Sequence, residues 1–256
     1  MTTATPTALV TGTSSGIGVA LAGELASRGR DLTLVARRED RLRATAEELS
    51  AKHGVNVDWI AADLADASDR DRLVAEVANR GRVVDVLVNN AGMGTIGLFH
   101  ELPVEREIGQ VRLNVEAVVA LCGAFIPGMV ERGRGKVLNV ASVSGFMPVP
   151  QQATYAASKA FVLTFTESLT LDLDGTGVTA TALCPGPVKT EFEGIIDGLP
   201  KHLYVEPERV AREAIDGLEN GDRTVIPGGG NKMNAVFGRH APRSVFMAYA
   251  KRFWPS

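Results

Sequence analysis

Short apolar runs alternate with longer amphipathic ones from near the start of the chain to about residue 226. The apolar runs fall at 8–10, 32–35, 55–61, 83–88, 136–140, 178–183 and 224–226. They are too brief for buried helices, and most are too continuous for strands with one wet face. Each therefore predicts a strand covered on both sides. Helices are predicted between them, at 19–28, 38–52, 69–79, 105–130, 153–173 and 208–218, where apolar residues recur at helical spacing. Gly54 closes the second helix, and Gly133 with Gly135 the fourth; glycine accepts the left-handed backbone of a helix end. A strand followed by a helix, repeated, implies parallel pairing, because parallel neighbours need a crossover. Right-handed crossovers then place helices over both faces of the sheet. The expected fold class is α/β, a doubly wound parallel sheet of about seven strands. No linker-like stretch divides it, so one domain is expected over 1–256.

The first strand runs into Thr11-Gly12-Thr13-Ser14-Ser15-Gly16-Ile17-Gly18, and a helix comes next. The three glycines permit a sharp turn, close approach of backbone to a pyrophosphate, and tight packing of helix on strand. The helix start adds free N–H groups and a favourable dipole for an anion. This placement makes the fold Rossmann-type and the turn a dinucleotide site. The spacing is Gly-x-x-x-Gly-x-Gly, without the Gly-Lys-Ser/Thr of a P-loop. At the end of the second strand, Val35-Ala36-Arg37-Arg38 carries no acid before Glu39. An acid there would hold a ribose 2′-hydroxyl, whereas an arginine suits a 2′-phosphate through charge-assisted hydrogen bonds. Ser14 is placed to add a hydroxyl to the same phosphate. The expected coenzyme is therefore NADP(H) rather than NAD(H). Of the two arginines, Arg38 is the more easily read as a solvated helix start.

Tyr155 and Lys159 stand four apart in the predicted helix 153–173 and so share a face. Ser142 comes after the fifth strand, and Asn89-Asn90-Ala91-Gly92 after the fourth. In open parallel sheets, ligands bind beyond the carboxyl ends of the strands, the edge these motifs share with the glycine turn. Together the motifs resemble the short-chain dehydrogenase/reductase family over residues 7–191.

That resemblance implies a carbonyl–alcohol oxidoreductase whose catalytic tetrad is Asn114, Ser142, Tyr155 and Lys159. It implies a coenzyme site of Gly12, Ser14, Ser15, Gly16, Ile17 and Gly18 in the turn, with Arg37 and Arg38 beyond the second strand. Asp63 and Leu64 would sit by the adenine. Asn90, Ala91 and Gly92 would border the coenzyme, as would Pro185, Gly186, Val188 and Thr190 near the nicotinamide amide. Tyr155 and Lys159 would complete that end, with Lys159 on the ribose. Asn114 would hold a water that links Lys159 to bulk solvent. Asn89 is expected to tie strands together, and Asp63 has a second reading as a helix cap. A free tyrosine, with a pKa of about 10, is too high to act as a base at neutral pH. A neighbouring ammonium is expected to lower it. In reduction the phenol donates its proton to a carbonyl oxygen that Ser142 orients. The alternatives are a dehydrogenase running toward oxidation, and a coenzyme-binding sensor or scaffold without turnover. The intact tetrad argues against the second.

A net charge of −3 gives no basic excess for nucleic acid. Cys122 and Cys184 are too few for a disulfide framework and read as buried core residues. Four scattered histidines show no metal-ligand spacing, so no metal is expected. The N-terminus has no basic start followed by an apolar stretch. The apolar run 115–127 contains Glu116 and is too short to span a bilayer. No transmembrane segment is expected, and a cytoplasmic location is.

Three segments should border the substrate: 93–99, 143–151, and 187–204, the last as a mobile lid. Their apolar members are Met93, Ile96, Leu98, Phe146, Met147, Val149, Ile195, Ile196 and Leu199. No arginine or lysine is expected near the carbonyl. An apolar ketone, aldehyde or 3-oxoacyl compound fits this better than a small carboxylate. A C-terminal extension covers about 228–256, and its stretch 243–254 is basic and amphipathic, with Phe246, Tyr249 and Phe253 on one side. It reads as packing on its own fold or on a partner subunit, with a membrane surface as the alternative. The family resemblance also implies a homodimer or homotetramer formed through helices 105–130 and 153–173.

Overall fold

The computed structural model describes residues 5–190, 192, 203–245 and 247–248. Seven strands form one sheet: β1 (Thr5–Thr11), β2 (Leu32–Ala36), β3 (Val57–Ala61), β4 (Arg82–Asn89), β5 (Gly135–Val140), β6 (Val178–Leu183) and β7 (Thr224–Val225). Their order is β3-β2-β1-β4-β5-β6-β7, and every pair is parallel. The α/β, doubly wound expectation therefore holds. Helices α1 (Gly16–Ser27), α2 (Glu39–His53) and α7 (Pro207–Asn220) pack on one face. Helices α3 (Ala67–Asn79), α5 (Ala117–Glu131) and α6 (Ala153–Asp172) pack on the other.

The continuous apolar runs now have a cause. In β1, Ala8 and Val10 belong to one core while Leu9 belongs to the other. Successive strand residues point to opposite faces, so a sheet buried on both sides needs apolar residues at every position. A buried Leu or Val side chain stabilises by about 1.5–3 kcal/mol, and these strands are held from two sides.

Four local differences from the sequence expectation matter for the site. Helix α1 begins at Gly16, directly on the glycine turn, and its N-cap Ser15 makes no side-chain cap bond. Helix α3 is capped by Asp66, whose Oδ1 accepts from the Asp69 N–H at 3.0 Å; Asp63 is not the cap. The predicted helix 105–130 is three pieces: α4 (Val104–Val111), a π turn over Arg112–Glu116, and α5. A π turn inserts a residue into the helical repeat and re-aims the side chains beyond it. Lastly, a helix α8 (Gly229–His240) lies where the sequence showed only an extension. Its buried residues are Asn231, Ala235 and Gly238, so it carries no apolar stripe of the usual kind.

The run Val104–Glu131 is long and apolar enough, by length and composition, to cross a bilayer. Its inner face, including Val118, Leu121, Cys122 and Met129, is buried in the core instead. Both cysteines are free and buried. The lid residues 191 and 193–202, with Ile195, Ile196 and Leu199, lie outside the described residues. So do Phe246 and 249–256, including Tyr249 and Phe253.

Candidate active site

Strand order reverses at β1, which lies between β2 and β4, and open α/β sheets form their ligand crevice at such a switch point. Here the ends of β1 and β4 are locked together. Thr11 Oγ1 accepts from the N–H groups of Asn90 and Ala91 at 2.9 and 3.0 Å, and donates to the Val88 carbonyl at 3.2 Å. The Asn90 amide donates back to the Thr11 carbonyl at 2.9 Å. Helix α1 then starts so close that a Cβ on Gly18 would lie 2.2 Å from the Gly12 carbonyl oxygen. Gly16, at φ +61°, meets the Thr190 side chain, which a Cβ there would approach to 3.0 Å. The turn and the segment after β6 thus touch across the crevice.

Beyond the end of β2, Arg38 donates to the Ser14 hydroxyl at 3.0 Å and to the Ser14 carbonyl at 3.1 Å. The arginine more easily read as a solvated helix start is the one tied to the glycine turn. Arg37 lines the same cavity. Asp63 sits at that end too, with Oδ1 accepting from the Ala65 N–H at 3.0 Å.

At the other end, Tyr155 and Lys159 project from α6 and are 8 % and 5 % exposed. Lys159 Nζ lies 5.8 Å from the Tyr155 ring centre and donates to the Val140 carbonyl at 2.8 Å. Burial pushes the Tyr155 phenol up to about 12, opposed by a hydrogen bond with Ser142. Burial also pulls Lys159 down to about 8. The expected acidified phenol is therefore absent from the chain by itself. Burial penalises the charged form of each group, raising the phenol and lowering the ammonium. Ser142 opens a short 3₁₀ turn over Val143–Phe146 and accepts from the Ser144 N–H at 3.1 Å. Asn114 is buried in the π turn. Its Oδ1 accepts from the Met93 N–H at 3.0 Å, and its amide donates to the Met93 carbonyl at 2.9 Å and to Ser158 Oγ at 3.0 Å. It braces the loop after β4 and does not line the cavity.

These residues surround one cavity of about 1310 Å³. Gly12, Ser14, Ser15, Gly16, Ile17, Gly18, Arg37, Arg38, Asp63 and Leu64 line it at one end. Asn90, Ala91, Gly92, Ser142, Tyr155, Lys159, Pro185, Gly186, Val188 and Thr190 line the rest. Asn89 faces away, donating to Asn139 Oδ1 at 2.8 Å and joining β4 to β5.

Comparison with known proteins gives the family and the fold. The family model for short chain dehydrogenase matches residues 6–197. The chain belongs to the short-chain dehydrogenase family. One relative, an uncharacterized oxidoreductase of Myxococcus xanthus (strain DK1622), is 40% identical over 220 residues, 86% of each chain. A putative ketoacyl reductase of Streptomyces coelicolor is 37% identical, covering 80% of this chain and 86% of the relative. A short-chain dehydrogenase from Sphingobium yanoikuyae, solved in complex with NADPH, superposes with a TM-score of 0.83 at 34% identity over 95% of each chain.

In this short-chain dehydrogenase the substrate end departs from the sequence reading. Met93, Met147 and Val149 line the cavity, whereas Ile96, Leu98 and Phe146 are not among its lining residues. Arg106 lines it as well, three residues before Gly109 on the same face of α4. Phe192 and Leu203 line it from the expected segment 187–204, whereas Asn231, Asn234 and Phe237 come from α8, outside the three expected segments. The Phe192 ring centre is 5.8 Å from that of Tyr155. Asn231 is 1 % exposed and donates to the Leu203 and Pro227 carbonyls at 3.1 and 3.0 Å. Those bonds fix its amide, and Oδ1 then packs where a Cβ on Gly186 would be. No motif in the sequence marked it, because it comes from α8. Among the described residues no group of three or more His, Cys, Asp or Glu is placed to hold a metal ion.

Proposed function

We propose that this chain is an NADP(H)-dependent carbonyl reductase acting on apolar ketones, aldehydes or 3-oxoacyl compounds. The observation that carries the reading is one cavity with Ser14, Arg37 and Arg38 at one end and Ser142, Tyr155 and Lys159 at the other. The fit to the coenzyme is physical. The cavity exceeds the roughly 300–1,000 Å³ of ordinary small-ligand pockets, which leaves room for a dinucleotide and a second reactant. The helix start at Gly16 suits a pyrophosphate, and the arginines suit a further phosphate. The Sphingobium relative is itself an NADPH complex.

Bound NADPH supplies the hydride. The protein's part is the proton and the orientation. Ser142 and Tyr155 hydrogen-bond the carbonyl oxygen, and Tyr155 delivers its proton there as the alcohol forms. A phenol pushed up to about 12 stays protonated at neutral pH, the form that donates in the reduction direction. Oxidation requires the phenolate and should accelerate as pH rises. Lys159, held by the Val140 carbonyl, would bind the nicotinamide ribose and keeps a positive charge beside the phenol. Asn114 positions the loop carrying Gly92 and Met93. Met93, Leu113, Met147, Val149 and Phe192 give the substrate end its apolar walls. The putative ketoacyl reductase among the relatives supports the acyl branch of this reading.

One domain over 1–256, a cytoplasmic setting and a homo-oligomer complete the proposal. Ile108, Val111, Val119 and Phe161 are 46%, 39%, 40% and 41% exposed along α4, α5 and α6, an apolar surface suited to a second copy. The test is loss of NADPH absorbance with a panel of apolar ketones, aldehydes and 3-oxoacyl thioesters, each repeated with NADH. NADPH-dependent turnover is expected. Tight NADPH binding with no turnover across the panel would favour a sensor, and an NADH preference would remove Arg37 and Arg38 from their role.

A further inference from the structure

Helix α8 is amphipathic in the wrong sense for a helix that only completes a core. Its inward residues are Asn231, Ala235 and Gly238, small or polar. Its large apolar residues face out: Met233 is 72% exposed, Val236 59% and Phe237 46%. Val245 and Met247 continue the exposed apolar series beyond the helix, at 53% and 46%. At 100° per residue, Lys232, Val236, His240, Met233 and Phe237 succeed one another around a continuous outer arc, with Arg239 on its edge. Arg239 also pairs with Glu167 at 3.2 Å.

The charge of this region is as uneven as its hydropathy. From 228 to 256 the sequence has no Asp or Glu and five basic residues, Lys232, Arg239, Arg243, Lys251 and Arg252. The whole chain has 27 basic and 30 acidic residues, so the remainder has 22 against 30, a net −8 beside a +5 terminus. Exposed apolar side chains set among cations, of which Arg239 is paired with Glu167, match the interface of an anionic bilayer. A second copy meeting the same face would set cation against cation, which opposes association. The face also adjoins the site, since Asn234 and Phe237 of α8 line the cavity.

We propose that the outer face of α8, with Arg243, Val245 and Met247 beyond it, docks on an anionic lipid surface and turns the cavity mouth toward the bilayer. Apolar substrates would then be supplied from the membrane; that second clause rests on the proposed function, while the docking does not.

The full chain is sedimented with phosphatidylcholine vesicles, with and without added phosphatidylglycerol. Binding is expected only with phosphatidylglycerol, and high salt should weaken it. Met233→Glu with Val236→Glu should lower the vesicle partition by about an order of magnitude and leave NADPH binding unchanged. Lys232→Gln with Arg243→Gln should act in the same direction without touching the apolar residues. No sedimentation of the unsubstituted chain overturns the proposal, as does equal sedimentation of both double variants. If the unsubstituted chain ignores vesicles but elutes larger than the Met233→Glu, Val236→Glu chain, the face is a contact between copies and the proposal fails. Inactivity toward soluble ketones would instead count against the proposed function and leave the vesicle result standing.

Discussion

At the glycine turn the binding geometry is carried by backbone, whereas at Tyr155 it is carried by two buried ionisable side chains. The turn is finished before any ligand arrives: β1 is tied to β4 through Thr11 and Asn90, and α1 starts against the Gly12 carbonyl. The other end is tuned by burial. Its phenol is pushed up to about 12 and its ammonium pulled down to about 8. Backbone sets one end, while burial sets the ionisation of the other. With a pKa of about 8 the Lys159 ammonium keeps its charge at neutral pH, and the phenol beside it stays neutral.

The largest effect should come from removing the proton donor without altering shape. Tyr155→Phe is expected to cut turnover about a thousandfold while the coenzyme dissociation constant, read by fluorescence titration, stays put. Turnover within a few-fold of the unsubstituted enzyme would break the assignment. Gly18→Ala does the opposite and changes shape alone. Its methyl group would fall 2.2 Å from the Gly12 carbonyl oxygen, so coenzyme affinity should drop about a hundredfold with no change in the pH dependence of the residual rate. Unaltered affinity in that variant would show that the turn is not preset.

Arg38→Gln tests the same end more gently. It removes a charge-assisted contact of about 1.5–3 kcal/mol, so NADPH should bind at least about tenfold more weakly while NADH is little affected. Equal losses for both coenzymes would assign Arg38 to the fold alone. The smallest effect concerns Lys159. Its pKa is lower in the fold than in the unfolded chain, so the buried ammonium costs stability, and stability falls as pH drops from 10.5 to about 8. Lys159→Met removes that dependence. Its thermal midpoint relative to the unsubstituted chain should therefore be more favourable by a few degrees at neutral pH than above pH 10.5, measured without coenzyme. A constant difference across that range would mean that Lys159 carries no such penalty.

The parts legible in the sequence are those where chemistry restricts residue type. A backbone crossing needs glycine at 18, proton transfer needs a phenol at 155, and a sheet covered on both faces needs strands apolar at every position. The parts that were not legible depend on geometry. The π turn at Arg112–Glu116 preserves composition while shifting the helical repeat by one residue. Helix α8 hides because Asn231, Ala235 and Gly238 face inward, so no apolar periodicity announces it. Arg106 falls within the predicted helix 105–130, and only the placement of α4 brings it to the cavity. The direction of the Tyr155 shift is set by burial, which spacing along the chain does not reveal; the ammonium at Lys159 was legible, and its own desolvation was not.

The sheet that separates the two cores has a kinetic corollary. With Leu9 sealed on one side and Ala8 and Val10 on the other, the amides of β1 and β4 should exchange with solvent only through global opening. The residues that meet the dinucleotide hang from the tips of these slowest-exchanging strands. Loading and release can therefore recur over many cycles while the scaffold beneath them stays closed, and wear falls first on the peripheral segments around the rim.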